Sequence, residues 1–133
     1  MATKKNYYVC FTFAKRPDIH MTLRYYPNLA PDQMAAVTRA IADFMSPEPR
    51  HPFKINFDLE AWYGPQHTVR VLEPRDSFVW PNWVLGLMTV LPLGSNKYKW
   101  YAHVACKDHK LRVQAVAVSL MCKKVEVARW DLV

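Results

Sequence analysis

Cysteine is scarce in this 133-residue chain: there are three, Cys10, Cys106 and Cys122, an odd number with no CxxC spacing among them. That excludes a disulfide-stapled scaffold and points to a reducing, cytoplasmic setting. Long apolar runs are also missing. The longest, Val84 to Leu93, carries Pro92 and falls well short of the ~20 residues a membrane-spanning helix needs, so no membrane partner is expected. The opening Met1–Asn6 runs into a strand-like Tyr7–Phe13 without an apolar leader, so no signal peptide is expected either. Short repeats, heptads, low-complexity tracts and charge blocks are absent. Acidic residues are the last deficit: eleven stand against eighteen Lys and Arg, a formal net charge of +7. An excess of this kind favours an anionic partner, although a solvated basic face serves solubility equally well.

What is present is enough apolar material for one core. With 51% hydrophobic and only 22% charged residues, the chain lies far from disordered compositions, and its length suits one domain over residues 1–133. Alternation predicts strands at Tyr7–Phe13 and Ile19–Tyr26 around a turn at Lys15–Asp18. The second of these places His20, Thr22 and Arg24 on one face and Met21, Leu23 and Tyr25 on the other. Pro31 and Asp32 suit a helix start, and Met34, Val37, Ile41, Phe44 and Met45 form its apolar stripe, which predicts a helix over 31–45. A proline-rich loop, 46–52, ends it. Strands follow at Phe53–Leu59 and Thr68–Leu72, then a buried helix over Trp83–Leu91, and then strand-like runs at Tyr98–Lys107, Val113–Lys123 and Val125–Trp130. The class is α+β, mostly antiparallel sheet with two helices.

Two of these runs echo one another. Tyr101-Ala102-His103-Val104-Ala105-Cys106-Lys107 repeats the pattern of Asp18-Ile19-His20-Met21-Thr22-Leu23-Arg24: a histidine, an apolar residue, a small one, another apolar one, and a cation four positions after the histidine. On a strand each copy lines up an imidazole, a small side chain and a positive charge. Two imidazoles across a groove suit cleavage of a phosphodiester without a metal. A neutral one accepts the proton of the attacking hydroxyl while a protonated one gives a proton to the departing oxygen. Hydroxyls and cations beside them hold the nonbridging oxygens; Thr22 supplies such a hydroxyl.

On these residues the sequence resembles the two-histidine (LigT-like) phosphoesterases, whose paired His-x-Thr/Ser-φ motifs lie about as far apart as His20 and His103 do here. The resemblance extends over nearly the whole chain. It implies a bilobal, pseudo-two-fold α+β fold with antiparallel sheets and two main helices around a central groove, and metal-independent chemistry in that groove. It implies His20 and His103 as the catalytic pair and Thr22 and the position of Ala105 as substrate-binding; the strand reading adds Arg24, Lys107 and Tyr101 as substrate-binding positions. Ala105 departs from the pattern, because the family usually carries Thr or Ser there; Lys107 or the Tyr101 hydroxyl then substitutes, or the second half binds without rapid cleavage. The implied substrate is a nucleotide phosphodiester: a 2′,3′-cyclic phosphate, a cyclic oligonucleotide or a 2′-5′ oligonucleotide. The competing expectation is a noncatalytic nucleotide- or RNA-binding module.

No cofactor, metal or protein partner is expected. His103, Cys106 and His109 have the residue types of a zinc cluster, but alternation sends His103 and Cys106 to opposite faces and no fourth ligand is evident. His51 and His67 read as surface loop residues, and most of the aromatic residues as core.

Overall fold

β1 (Lys5–Phe13) alternates as its sequence predicts: Tyr7, Val9, Phe11 and Phe13 enter the core, and Tyr8, Cys10 and Thr12 point the other way. The structure, a computed structural model, describes residues 3–75, 77–92 and 103–133. A tight turn with Lys15 at φ 63° leads into β2 (Arg16–Leu29), which pairs antiparallel with β1 at one edge of the sheet. Edge placement is what allows Pro17 inside a strand.

α1 spans Pro31–Met45, as the apolar stripe predicts. Pro31 opens it, Asp32 lies in its first turn, and the Gln33 side-chain carbonyl accepts the Ala30 N–H at 2.9 Å, satisfying one of the donors that a helix start leaves over. Val37 and Ile41 are buried. β3 (Phe53–Tyr63) and β4 (Val69–Pro74) form an antiparallel meander, joined by a turn in which Gly64 takes φ 96°. α2 (Asn82–Val90) settles the ambiguity of the second apolar run in favour of helix and buries Val84 and Leu87. It lies against α1 where Gly86 faces the Phe44 ring: a Cβ added there would stand 3.1 Å from Phe44 Cζ. β5 (Leu111–Cys122) and β6 (Val125–Asp131) complete the described elements.

The sheet has the order β2-β1-β5-β3-β4, with β6 also paired to β5. β5 is the shared strand: one edge is paired to β1, while the other is divided between β3, along Leu111–Ala115, and β6, along Ala117–Cys122. Both helices pack on the face that carries Phe11. The Trp83 ring of α2 meets Phe11 and Phe53 edge-on, with centroids 5.9 and 5.8 Å away. The opposite face carries no helix among the described residues.

Two expectations change. Of the strand-like run Tyr98–Lys107, residues 98–102 lie outside the described residues, and 103–107 form no regular strand. Val104 alone makes an antiparallel bridge, exchanging two backbone hydrogen bonds with Leu72 on the outer edge of β4, 2.9 and 3.0 Å. The second change is in β2. Val9 pairs with Arg24 and Cys10 with Thr22, so Leu23 is an extra residue, a β-bulge, and the alternation shifts by one after it.

Phe11 is fully buried between Phe53 and Trp83, so truncation there leaves a cavity in the layer that joins sheet to helices. Phe11→Ala is expected to cost about 3–5 kcal/mol of stability, read as a lower urea midpoint at unchanged slope.

Candidate functional site

His20 is held by its register. It pairs with Thr12 across β1–β2, next to the pair Phe11 and Met21, whose side chains are in the core. Neighbouring pairs on a sheet point to opposite faces, so His20 and Thr22 stand on the helix-free face. The His20 ring stacks on Tyr8, centroids 5.0 Å apart and planes at 29°. Tyr8 is itself anchored, its hydroxyl donating to the Lys123 carbonyl at 2.8 Å.

His103 reaches the same face without a strand. Val104 is buried in the core opposite Leu72, which turns the flanking His103 outward to that face. The segment is then fastened from below by Arg70, whose guanidinium donates to the carbonyls of Cys106 and Asp108 at 3.0 and 2.9 Å while its Nε bonds Glu60 at 3.0 Å. The His103 ring lies 4.6 Å from the Tyr63 ring, and the Tyr63 hydroxyl donates to Glu73 at 2.9 Å.

The two histidines belong to opposite edges of the sheet. Laid flat, with strands about 4.8 Å apart, β2 and the segment beyond β4 would be separated by roughly 24 Å. Two observations show the edges drawn together instead. Arg16 at the start of β2 is 2.8 Å from Asp108, five residues past His103. The His20 imidazole also responds to its counterpart: partial burial first, and the positive charge of His103 second, hold its pKa below the ordinary histidine value. The residue as a whole is exposed, with Tyr8 stacked on one side of its ring.

The remaining predicted site residues divide. Thr22 is half-buried on the His20 face. Ala105 and Lys107 are exposed beyond His103, and Tyr101 lies outside the described residues. Arg24 is a correction. The bulge at Leu23 turns it to the face of its partner Val9, the helix side, where it donates to the Met88 carbonyl near the end of α2 at 3.0 Å. It is therefore separated by the sheet from His20. Tyr8, Tyr63 and Glu73 are not singled out by the sequence, because an aromatic supporting a histidine through tertiary packing looks like any core aromatic. Among the described residues, no group of three or more His, Cys, Asp or Glu side chains stands together as a metal site would.

No family model matches the sequence, and no curated protein does. Solved structures do match. The apo form of E. coli LigT superposes with a TM-score of 0.67 at 11% identity, covering 98% of this chain and 99% of that one. The chain has the LigT fold. LigT complexed with 3′-AMP gives 0.65 at 9% identity, over 99% of both chains, and a crystal structure described as a phosphoesterase gives 0.67 at 10%, over 96% of this chain and 98% of that one. The LigT fold fits the α+β arrangement of one antiparallel sheet system and two helices. No helix is long and apolar enough to cross a membrane among the described residues.

Two outcomes follow from this geometry. In His103→Ala the second cause of the His20 depression is gone and burial remains, so the His20 pKa, followed by NMR of the ring protons, rises towards the ordinary value without reaching it; an unmoved titration would show that the imidazoles do not sense each other. Arg24→Ala removes a charged hydrogen bond on the helix side and is expected to lower stability by ~1.5–3 kcal/mol, with the KM of any substrate of the helix-free face unchanged.

Proposed function

We propose that this protein is a two-histidine phosphodiesterase acting on a nucleotide phosphodiester, with His20 and His103 as its acid–base pair and no metal in the reaction. The observation that supports this most is the convergence of two imidazoles from opposite sheet edges onto one helix-free face, near enough for the charge of one to depress the other. The domain is read as a single unit over residues 1–133 made of two pseudo-repeat lobes, one carrying His20 and the other His103.

The depressed His20 suits the general base, since it stays neutral where an ordinary histidine has begun to protonate. It takes the proton of the attacking water or ribose hydroxyl as the new bond to phosphorus forms. His103 as imidazolium gives its proton to the departing oxygen as the old bond breaks. The Thr22 hydroxyl, two residues along the same face from His20, is the donor to a nonbridging oxygen, and Lys107 is the cation on the other side. Ala105 offers no hydroxyl, and this favours the second reading, a module that binds nucleotide and does not turn it over. LigT structures hold 3′-AMP and ATP, which supports nucleotides as the ligand class for either reading. Candidate substrates are 2′,3′-cyclic nucleotides, cyclic oligonucleotides and 2′-5′ oligonucleotides.

A substrate panel with and without EDTA tests the reading. Turnover should survive chelation, and His20→Ala and His103→Ala should each lower kcat by about 10²–10⁴-fold with the melting transition retained. Near-full activity in either variant refutes the pairing, and ligand-induced stabilisation without any turnover by the wild type selects the binding module.

A further inference from the structure

Beyond the two histidines, the helix-free face carries a second basic feature. A pocket of about 440 Å³ opens where the β1–β2 turn meets the start of β5 and the start of β3. Its lining includes four cations, Lys15, Arg16, Lys54 and Arg112, together with Gln114, and no carboxylate. Arg16 is committed to Asp18 and Asp108 through its ion pairs. Lys15, Lys54 and Arg112 make no ion pair among the described residues, and all three are exposed.

The register places Lys54, Arg112 and Gln114 of this lining on the histidine side of the sheet, while Leu111 and Val113 alternate to the core side. Lys54 pairs with Gln114 and Asn56 with Arg112, alternating with the pairs Phe53–Ala115, Ile55–Val113 and Phe57–Leu111, which include the buried Ile55, Phe57, Val113 and Ala115. Lys54 and Arg112 are thus diagonal neighbours on one face, a spacing of roughly 7–8 Å between two like charges. Such a pair repels, and an anion between the two removes the repulsion. β5 sets the offset of the pocket from the row of His20: Ala117 stands opposite Thr12, which pairs with His20, and Gln114 is three residues further along, about 10 Å along the strand, while His20 itself lies two strand spacings, roughly another 10 Å, to the side.

We infer that this pocket is a second phosphate site, which takes a backbone phosphate of a short single-stranded oligonucleotide whose scissile phosphodiester lies at the two imidazoles. The inference rests on the proposed reading of those histidines. It narrows the substrate class: an oligonucleotide with at least one phosphate beyond the scissile one is preferred to a mononucleoside 2′,3′-cyclic phosphate. Lys54 and Arg112 supply the charge, Lys15 closes the rim from the turn, and the Gln114 and Asn56 amides lie beside them for sugar or base edges.

The experiment compares Lys54→Ala/Arg112→Ala with a control that removes the same charge elsewhere, Lys4→Ala/Lys124→Ala, both positions being exposed. Substrates are a 2′-5′-linked trimer and a mononucleoside 2′,3′-cyclic phosphate, and the melting transition of each variant verifies folding. The pocket variant is expected to raise KM for the trimer about tenfold with kcat retained, to leave the mononucleotide unaffected, and to flatten the dependence of log KM on log salt by ~0.7 for each phosphate no longer neutralised. Equal effects of the pocket and control variants, or an equal rise in KM for the mononucleotide, overturn the inference. If the wild type turns over neither substrate, the catalytic reading fails on its own. The pocket is then judged by titrating the trimer into wild type and pocket variant: weaker binding in the variant upholds the phosphate site, and equal binding overturns it.

Discussion

The candidate site depends on the two edges of one sheet approaching each other, as the 2.8 Å Arg16–Asp108 pair shows. His20 lies on β2, at one end of the order β2-β1-β5-β3-β4, and His103 lies beyond β4, at the other end. No local feature of either segment brings them within electrostatic reach. The approach of the edges does, and the ladders carry irregularities of the kind that bend a sheet. Strands twist intrinsically, and each bulge adds local twist and bend. Extra residues fall at Leu23 in β2, Val116 in β5 and Asp58 in β3. The Val116 bulge stands where β5 hands its edge from β6 to β3, the place where a bend most directly swings one half of the sheet towards the other. The Arg16–Asp108 pair closes the arc. Being half-exposed, it is a modest contributor to stability, and its consequence is positional: it ties the start of one histidine strand to the end of the other histidine segment.

The two halves solve the same positioning problem by different means. His20 is a member of a continuous ladder, and its orientation follows from alternation. His103 has a single bridge, and its orientation follows from one buried neighbour, Val104, and from Arg70 holding two carbonyls that no strand partner takes. Buried or half-buried backbone acceptors must be paired; here a guanidinium, with its fork of donors, does what a ladder does on the other side. The pseudo-symmetry of the two sequence motifs therefore exceeds the symmetry of their backbones.

This difference accounts for what is legible in the sequence. α1 is readable because Pro31, Asp32 and the stripe from Met34 to Met45 are local signals, and β1, β3, β4, β5 and β6 are readable from alternation and turn residues. The bulge at Leu23 is not, since neither glycine nor proline marks it and the run Ile19–Tyr26 alternates through it without a break. One extra residue exchanges faces for everything after it, so alternation assigns Arg24 to the histidine face while the folded strand puts it on the helix side. The Tyr98–Lys107 run looks like a strand for the same local reasons, while the irregular path from His103 is set by Arg70 and Leu72, more than thirty residues away in sequence. Tyr8, Tyr63 and Glu73 escape notice because support of an imidazole is a tertiary property. The basic pocket escapes because its cations come from three separate segments.

On the proposed reading of the two histidines, their unequal surroundings bear on how one site could hold an acid and a base of the same residue type. Two isolated imidazoles would titrate alike, and no pH would assign them different roles. Burial first, and the charge of His103 second, hold the His20 pKa below the ordinary histidine value, which on the proposed reading suits His20 to the role of base. Arg24 lies on the far side of the sheet, so its guanidinium is held by the Met88 carbonyl and not by the histidine face. The cations of the histidine face that the described residues leave without an ion pair include Lys54 and Arg112, the ones assigned to the inferred phosphate site.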